Sequence, residues 1–512
     1  MTGRDDGDGD PRDEAEGAGA EARVRLPDES PFAAVAPTRP RQVDLARAGL
    51  LLTVVEALNV LVGFASTVYF AWALGASALG VFFLFDAVLN TVTTVTDFGL
   101  RDAVEKRISE GEAGDATLTA AVCLKLALLA PFVLLAYPLH PYVDAYVGAP
   151  LTLPLVAGVL VYEFGVLTLH VLRAELRVEE TALLSFARLA VYVLVAVALV
   201  QFDYGVRALV YAFVASYAVL LAVGALRVST GVARPGRAQF RSLVRYAKYN
   251  GVSALGGYVY NSMDLLVVGY FLTPAFVAAY ELAWRVTAML LLVANVVSNT
   301  VFAQLSAWHA RDELDRVRAT LADAVTASLV LVIPAFVGIA LLSRELLGVL
   351  FGPAFTVAAA AFVVLAGEKL VTAVNVVLDA GVRAFDRPQA GAYATVGSAT
   401  LNVALNVVLV PRYGLLGAAS ATAAAVCLHG VVLAVALSRL TPLAVDARDI
   451  GWCVGAALGM GGVIALARAF VDAGTLGGLA ALVALGGVVY LALVLASARL
   501  RAKARGVVAS LA

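Results

Sequence analysis

The chain is 512 residues long, 61% hydrophobic and 15% charged, with 37 basic side chains against 38 acidic ones. Its mean hydropathy of +0.87 excludes an ordinary soluble domain and defines a polytopic, all-α membrane protein. Cys123, Cys427 and Cys453 stand far apart in apolar runs, so they read as buried thiols, and no disulfide or zinc spacing is present.

The first thirty residues are acidic (Asp5, Asp6, Asp8, Asp10, Asp13, Glu14, Glu16, Glu21, Asp28, Glu29) and contain no apolar run. Residues 1–45 therefore read as a disordered cytoplasmic tail and not as a signal peptide, which needs a basic start and an apolar stretch. A first span, about Ala48 to Leu74, carries Thr53, Glu56, Asn59, Gly63 and Ser66 on one stripe; a second, to about Phe98, carries Asp86, Asn90, Thr94 and Asp97. The third, about Ala116 to Leu139, contains Lys125, and the fourth, about Leu151 to Leu172, contains Glu163 and His170 on one face. Arg188 and Tyr192 lie in the fifth, and a sixth runs to about Leu226. These six form a first lobe, 46–228. The linker 229–245 holds a Pro235-Gly236 turn signal, and Phe240, Leu243 and Val244 among Arg241, Arg245 and Lys248 predict a short interfacial helix.

A second lobe, 246–442, opens on a hairpin from Tyr246 to Leu305 that turns at Thr273 and Pro274. Asn250, Ser253, Gly257, Asn261 and Asp264 fall at steps of three and four on its first arm, hence on one helical face. The second arm carries Glu281, Arg285 and Asn299 on a stripe. At 1.5 Å per residue, Asp264 and Arg285 both lie about 14 to 17 Å from the turn, near mid-membrane. They read either as an ion pair locking two helices or as a site for an anionic head group or coupling cation, because intramembrane charges face bundle interiors or water-filled cavities. WHARDELDRVRATLADA reads as a solvated helix, and the ninth span runs to about Leu342 with Pro334 inside. The tenth aligns Glu368, Thr372, Asn375 and Asp379, with Lys369 one step round; the eleventh aligns Ser398, Asn402 and Asn406; the twelfth runs from about Leu415 to Leu437. Residues 443–512 add two spans with almost no polar interior and a basic end, and Gly451, Gly455 and Gly459 read as a close-packing face.

About fourteen spans result, and basic residues gather in alternate loops, which puts both termini in the cytoplasm. ALGASALGVFF after the first span resembles FLTPAFVAAYE after the seventh, and Tyr204-Gly205 before the sixth recurs as Tyr413-Gly414 before the twelfth. Repeats in the same direction imply two pseudo-symmetric six-helix lobes with binding between them. No phosphate-binding loop, Ser-His-Asp set or H-E-x-x-H motif occurs, so neither an ATPase nor a motif-bearing hydrolase is expected. Arg285, Lys125, Arg188 and Lys369 are candidates to neutralise a phosphate, with Asn250, Asn261 and Asn299 beside them. Glu56, Asp86, Asp264 and Glu368 are candidates to bind sodium or protons, Asp264 together with Asn402 and Asn406. No metal site, cofactor or nucleic-acid partner is expected.

TVYFAWALGASALGVFFLFDAVLNTVTTVTDFGLRDAV resembles the first helix pair of polysaccharide-biosynthesis flippases, in the multidrug, oligosaccharidyl-lipid and polysaccharide exporter superfamily. AAYELAWRVTAMLLLVANVVSNTVFAQL looks like that family's eighth helix, with Arg285 at a position often basic there, and VVLVPRYGLLGAASATAAAV resembles its eleventh-to-twelfth connection. The proline usual after the eighth helix is absent from FAQLSAWHAR. The resemblance implies two six-helix bundles around a V-shaped cavity, as in the multidrug and toxin exporters, plus two further helices. It implies alternating access for an isoprenoid-phosphate-linked glycan crossing the plasma membrane, with glycosyltransferases of the same pathway as candidate partners. A cation-coupled drug exporter of the same superfamily is the alternative, although those usually stop at twelve spans. A glycan polymerase would carry a large external loop where this chain has short ones, and a non-transporting scaffold would not need polar stripes on six helices.

Overall fold

The computed structural model describes residues 45–111 and 113–503, without the side chains of 45–53, 249, 252–254 and 259–261. Among the described residues all regular structure is helical, because a segment in lipid must satisfy its own backbone N–H and C=O groups. In chain order the helices are α1 (Leu45–Asp97), α2 (Leu100–Ser109), α3 (Gly114–Val147), α4 (Thr152–Ala174), α5 (Val178–Gln201), α6 (Val206–Arg227), α7 (Arg237–Phe271), α8 (Pro274–Ala288), α9 (Leu292–Ala310), α10 (Leu314–Phe351), α11 (Ala359–Ala384), α12 (Pro388–Ser438), α13 (Ala447–Ala467) and α14 (Leu476–Ala496). A 3-10 turn, Met289–Leu291, joins α8 to α9, and another, Pro353–Ala358, leads into α11.

Eleven helices are long and apolar enough to cross a bilayer. The apolar part of α1, Val54–Asp97, has 44 residues. Drawn out straight it would measure about 66 Å, about twice a hydrocarbon core of ~30 Å. It breaks at Gly75, φ 76 and ψ 174, a backbone state that a side chain would strain. The 51-residue α12 breaks in the same manner at Gly414. Two legs in each of these helices, together with α7 across the rest of the thickness, are compatible with fourteen crossings.

The repeat read from the sequence is visible in the backbone. Gly205 has φ 55 and ψ −136, and Gly414 has φ 57 and ψ −135, so the two Tyr-Gly pairs make the same turn. A second recurrence escaped the sequence reading: Arg173-Ala174 with Arg177, and Arg383-Ala384 with Arg387. Leu176 and Asp386 sit at φ 61 and 55. The N–H of Arg177 reaches the Leu172 carbonyl at 2.9 Å, and that of Arg387 reaches Val382 at 3.1 Å. The architecture is therefore two pseudo-symmetric six-helix lobes plus two added helices. Their largest shared core mixes Phe70, Leu79, Phe83 and Leu84 of α1 with Val268 of α7, Tyr280 of α8 and Phe362 of α11.

Several expectations need correction. The interfacial helix is not separate: α7 starts at Arg237, where the N–H of Gly236 bonds Gln239 Oε1 at 3.0 Å, and continues unbroken to Phe271. The segment after α9 is not one solvated helix, since a turn at 311–313 precedes α10, which runs beyond Leu342 to Phe351 with non-helical torsions at Leu342. Cys123 and Cys427 are exposed and only Cys453 is buried, because a lipid-facing surface accepts apolar side chains without burying them in protein. Gly451 and Gly455 have open space where a Cβ would stand. Close packing of α13 is carried instead by Gly459 against Leu493 and Gly461 against Val337, while Gly486 of α14 packs on Ile464.

Candidate functional site

Three adjoining cavities lie between α1, α5 and α6 on one side and α7 and α8 on the other. The first, 380 Å³, is lined by Asn59, Gly63, Thr67, Trp284, Arg285 and Phe351 among others. The second, 200 Å³, shares Gly63, Thr67 and Arg285 with it and adds Asp86, Arg188 and Tyr192. The third, 250 Å³, shares Asp86 with the second and Trp284 with the first, and adds Asn90, Tyr258, Asp264, Tyr280 and Glu281. Together they form an interior between the lobes with mostly apolar and aromatic walls into which the charged groups Asp86, Arg188, Asp264, Glu281 and Arg285 are set, the usual composition of a small-molecule site.

Arginine stands at the centre. Arg285 Nε donates to Glu281 Oε1 at 2.6 Å, one helical turn away on α8, and its guanidinium lies 4.7 Å from the centroid of the Phe83 ring. Arg188 on α5 lies 4.8 Å from the Tyr217 ring. Both stack on aromatic faces, which holds a planar cation without using all five donors. Their remaining N–H groups can address the oxygens of a phosphate.

A second cluster lies in the second lobe. Asp264 of α7 is buried; its Oδ2 accepts from Tyr280 Oη at 3.0 Å and from Thr422 Oγ1 at 2.6 Å. Thr422 in turn accepts from Asn402 Nδ2 at 3.4 Å, and Asn406 Nδ2 donates to the Asn402 carbonyl at 3.0 Å and to its Oδ1 at 3.1 Å. Asp264 Oδ1 and Asn406 Oδ1 are buried with no hydrogen-bond partner. Unsatisfied buried acceptors are rare and costly, and hard oxygen donors of this kind suit a sodium ion or a proton.

Asp264 and Arg285 do not pair: each has its own partners, so the ion-pair reading is overturned, whereas Asp264 does share a cluster with Asn402 and Asn406. Lys125 is not a cavity cation. It is fully buried between Asp97, whose Oδ1 it reaches at 2.6 Å, and Glu163, and Arg101 closes the group onto Glu163 Oε1 at 2.6 Å. Lys369 is buried against Glu368 behind Trp284, 5.5 Å from that ring, and Glu368 also accepts from Thr372 at 2.7 Å. Glu56 and Asn299 are exposed and line none of the three cavities. Asn250 donates to Asp102 Oδ2 at 3.2 Å, between α7 and α2, and the side chain of Asn261 lies outside the described residues. Sequence reasoning missed Tyr280 and Thr422. Both sit in runs of small and apolar residues, and only the packing of α7 against α8 and α12 reveals them.

A membrane protein with two pseudo-symmetric six-helix lobes and a charged cavity between them has the fold of a secondary transporter. The model of a polysaccharide biosynthesis protein family matches residues 55–360, and that of the lipid II flippase MurJ matches 249–485. A probable low-salt glycan biosynthesis flippase, Agl15, of Haloferax volcanii is 39% identical over 422 residues, covering 82% of this chain and 89% of its own. A probable flippase, AglR, of the same organism is 31% identical over 408 residues, covering 78% and 84%. Among solved structures, the lipid II flippase MurJ in an inward closed conformation superposes with a TM-score of 0.75 at 16% identity, over 87% of this chain and 98% of that one. An inward-facing multidrug resistance MATE transporter of the MOP superfamily gives 0.61 at 16% identity, over 77% and 98%. The chain belongs to the polysaccharide-biosynthesis family.

Proposed function

We propose that this protein is a flippase that carries an isoprenoid-phosphate-linked glycan from the cytoplasmic to the outer leaflet of the cell membrane, by alternating access and without covalent change to its cargo. The observation that carries the reading is the pair Arg188 and Arg285 lining one cavity between the lobes, where two cations can hold a phosphate away from water. The names of the two Haloferax relatives support it. The acidic and amide walls formed by Asp86, Asn90 and Glu281 offer acceptors and donors to sugar hydroxyls. The cluster of Asp264, Thr422, Asn402 and Asn406 is the proposed seat of a coupling sodium ion or proton, because its two partnerless buried oxygens gain a partner when a cation binds. It borders the cavity through Asp264, so cation and cargo share a wall.

The reading is tested in cells lacking the protein. They should accumulate lipid-linked sugar on the cytoplasmic leaflet and lose the corresponding surface glycan. Arg285→Ala and Arg188→Ala should each fail to restore it while accumulating normally, and Arg285→Lys should restore part, since lysine keeps the charge but loses the planar fork. Normal surface glycan in the deletion strain, with no second copy compensating, would reject the proposal.

A further inference from the structure

The lobes touch at both rims of the cavity, and at both the contact runs through glycine. At the rim formed by the break in α1 and the α7–α8 turn, a Cβ on Gly80 would fall on the main-chain carbonyl of Pro274, and one on Gly269 would fall on the Leu84 side chain. Two hydrogen bonds reinforce the closure: Tyr146 Oη donates to the Leu266 carbonyl at 2.8 Å, and Trp72 Nε1 donates to the Leu350 carbonyl at 3.0 Å. At the opposite rim, the α1–α2 junction meets α7. A Cβ on Gly251 would stand 2.5 Å from the Phe98 carbonyl oxygen and 2.6 Å from its ring, and one on Gly99 would stand 2.8 Å from the Gly251 nitrogen. Asn250 adds its bond to Asp102 there.

We infer that Gly80 and Gly251 are the gate-setting residues of the transport cycle, each allowing one rim to close backbone on backbone. The opposing atoms are main chain, which cannot rotate away as a side-chain end can, so a methyl at either position wedges its own rim apart and leaves the other free to close. What passes the gates rests on the flippase reading; the gating itself is read without cargo. The experiment uses full-length protein with its three cysteines replaced and Thr67→Cys, which lines two of the cavities, as reporter. Labelling by a membrane-impermeant maleimide is measured in vesicles of both orientations. Gly80→Ala should raise the labelling rate about tenfold from one face only, and Gly251→Ala by a similar factor from the other face only. Gly256→Ala, whose Cβ meets open space, should leave both rates unchanged. If a wedge variant fails to accumulate, Trp72→Phe with Tyr146→Phe at one rim and Asn250→Ala at the other remove inter-lobe bonds without adding volume, and must move labelling in the same opposite directions. Unchanged rates, or a rise from the same face at both rims, would overturn the assignment. Normal gating in a strain whose glycan needs no flippase would instead reject the cargo and keep the gates.

Discussion

Asp264 and Arg285 occupy the same depth on neighbouring helices, yet each is held by its own partners, Tyr280 with Thr422 and Glu281 with Phe83. Depth along a helix follows from residue number and rise, but which way each face turns follows from packing between helices. Groups without a shared partner contribute independently. In a double-mutant cycle of Asp264→Ala and Arg285→Ala, read by thermal unfolding in detergent, the two effects should add to within about 0.5 kcal/mol. Recovery of stability in the double variant, as breaking and then deleting a buried pair produces, would show that they meet after all. The site was therefore legible as a set of stripes: Arg285, Arg188, Asp86 and Asp264 all reach the cavities. What periodicity could not separate were charges facing the cavity from charges sealed inside a lobe: Arg285 has a carboxylate partner in Glu281 as Lys125 and Lys369 have theirs, but its side chain stays 40% exposed while theirs are 0% and 7% exposed.

Individual helices show how the lobes keep buried charge harmless and where the connection between them is anchored. In the first lobe Lys125 of α3, Glu163 of α4, Asp97 at the end of α1 and Arg101 of α2 form a closed group of two cations and two anions, so no uncompensated charge is left in the low-dielectric interior. The segment between α6 and α7 is tied to the same lobe. Glu175 Oε1 accepts from the N–H groups of Ser229 at 2.9 Å and Thr230 at 2.8 Å and from Thr230 Oγ1 at 2.8 Å, and Asp115 Oδ1 accepts from the N–H of Gly231 at 2.7 Å. Burial raises the pKa of Glu175, but the hydrogen bonds from Thr230, Arg177 and Ser229 outweigh it and leave the carboxyl below its ordinary value. A lowered carboxylate pKa stabilises the fold above the unfolded pKa of about 4.3 and loses that contribution as pH falls through the folded value. Amide protection at Ser229 and Thr230, measured by hydrogen exchange and corrected for intrinsic rate, should hold from pH 7 down through the ordinary carboxylate value of about 4.3 and fall only below it. Glu175→Gln should show the low-pH protection already at pH 7. Equal protection in the variant and the parent at pH 7 would mean that the segment is held by its other contacts.

Over the whole molecule the order of spans, the hairpin turn at Thr273-Pro274 and the Tyr-Gly repeat were all readable, because apolar length and turn chemistry are local properties. The continuity of α7 from Arg237 was not, since its first three turns are polar and earn their helical state by packing Leu243 and Ala247 against Leu100, Ala120 and Leu167, a contact between segments far apart in sequence. The added helices α13 and α14 contact α10 through Val337 and Tyr490, whose Oη donates to the Val330 carbonyl at 2.6 Å, and Lys503 beyond them is held by Asp446 and Asp449 at 3.2 and 2.6 Å. That pairing holds Lys503 on the same face as the α12–α13 connection, independently of any charge rule. We propose from the positive-inside rule that this face is cytoplasmic, since Lys106 and Arg107, Arg234, Arg237 and Arg241, and Arg439 and Arg448 all fall in connections or at helix ends an even number of crossings from it. Tags inserted at Gly111, at Gly231 and at the C-terminus should therefore report the cytoplasm, and tags at Val147 and Gly474 the opposite side. The sensitive comparison is Gly111 against Val147, because only α3 separates them and that helix holds Pro131, Pro138 and Pro141. Helices in membranes tolerate such prolines when neighbouring groups satisfy the freed carbonyls, so α3 should still cross. Tags at both positions reporting the same side would mean that it turns back within the bilayer, and the orientation of every later span would then reverse.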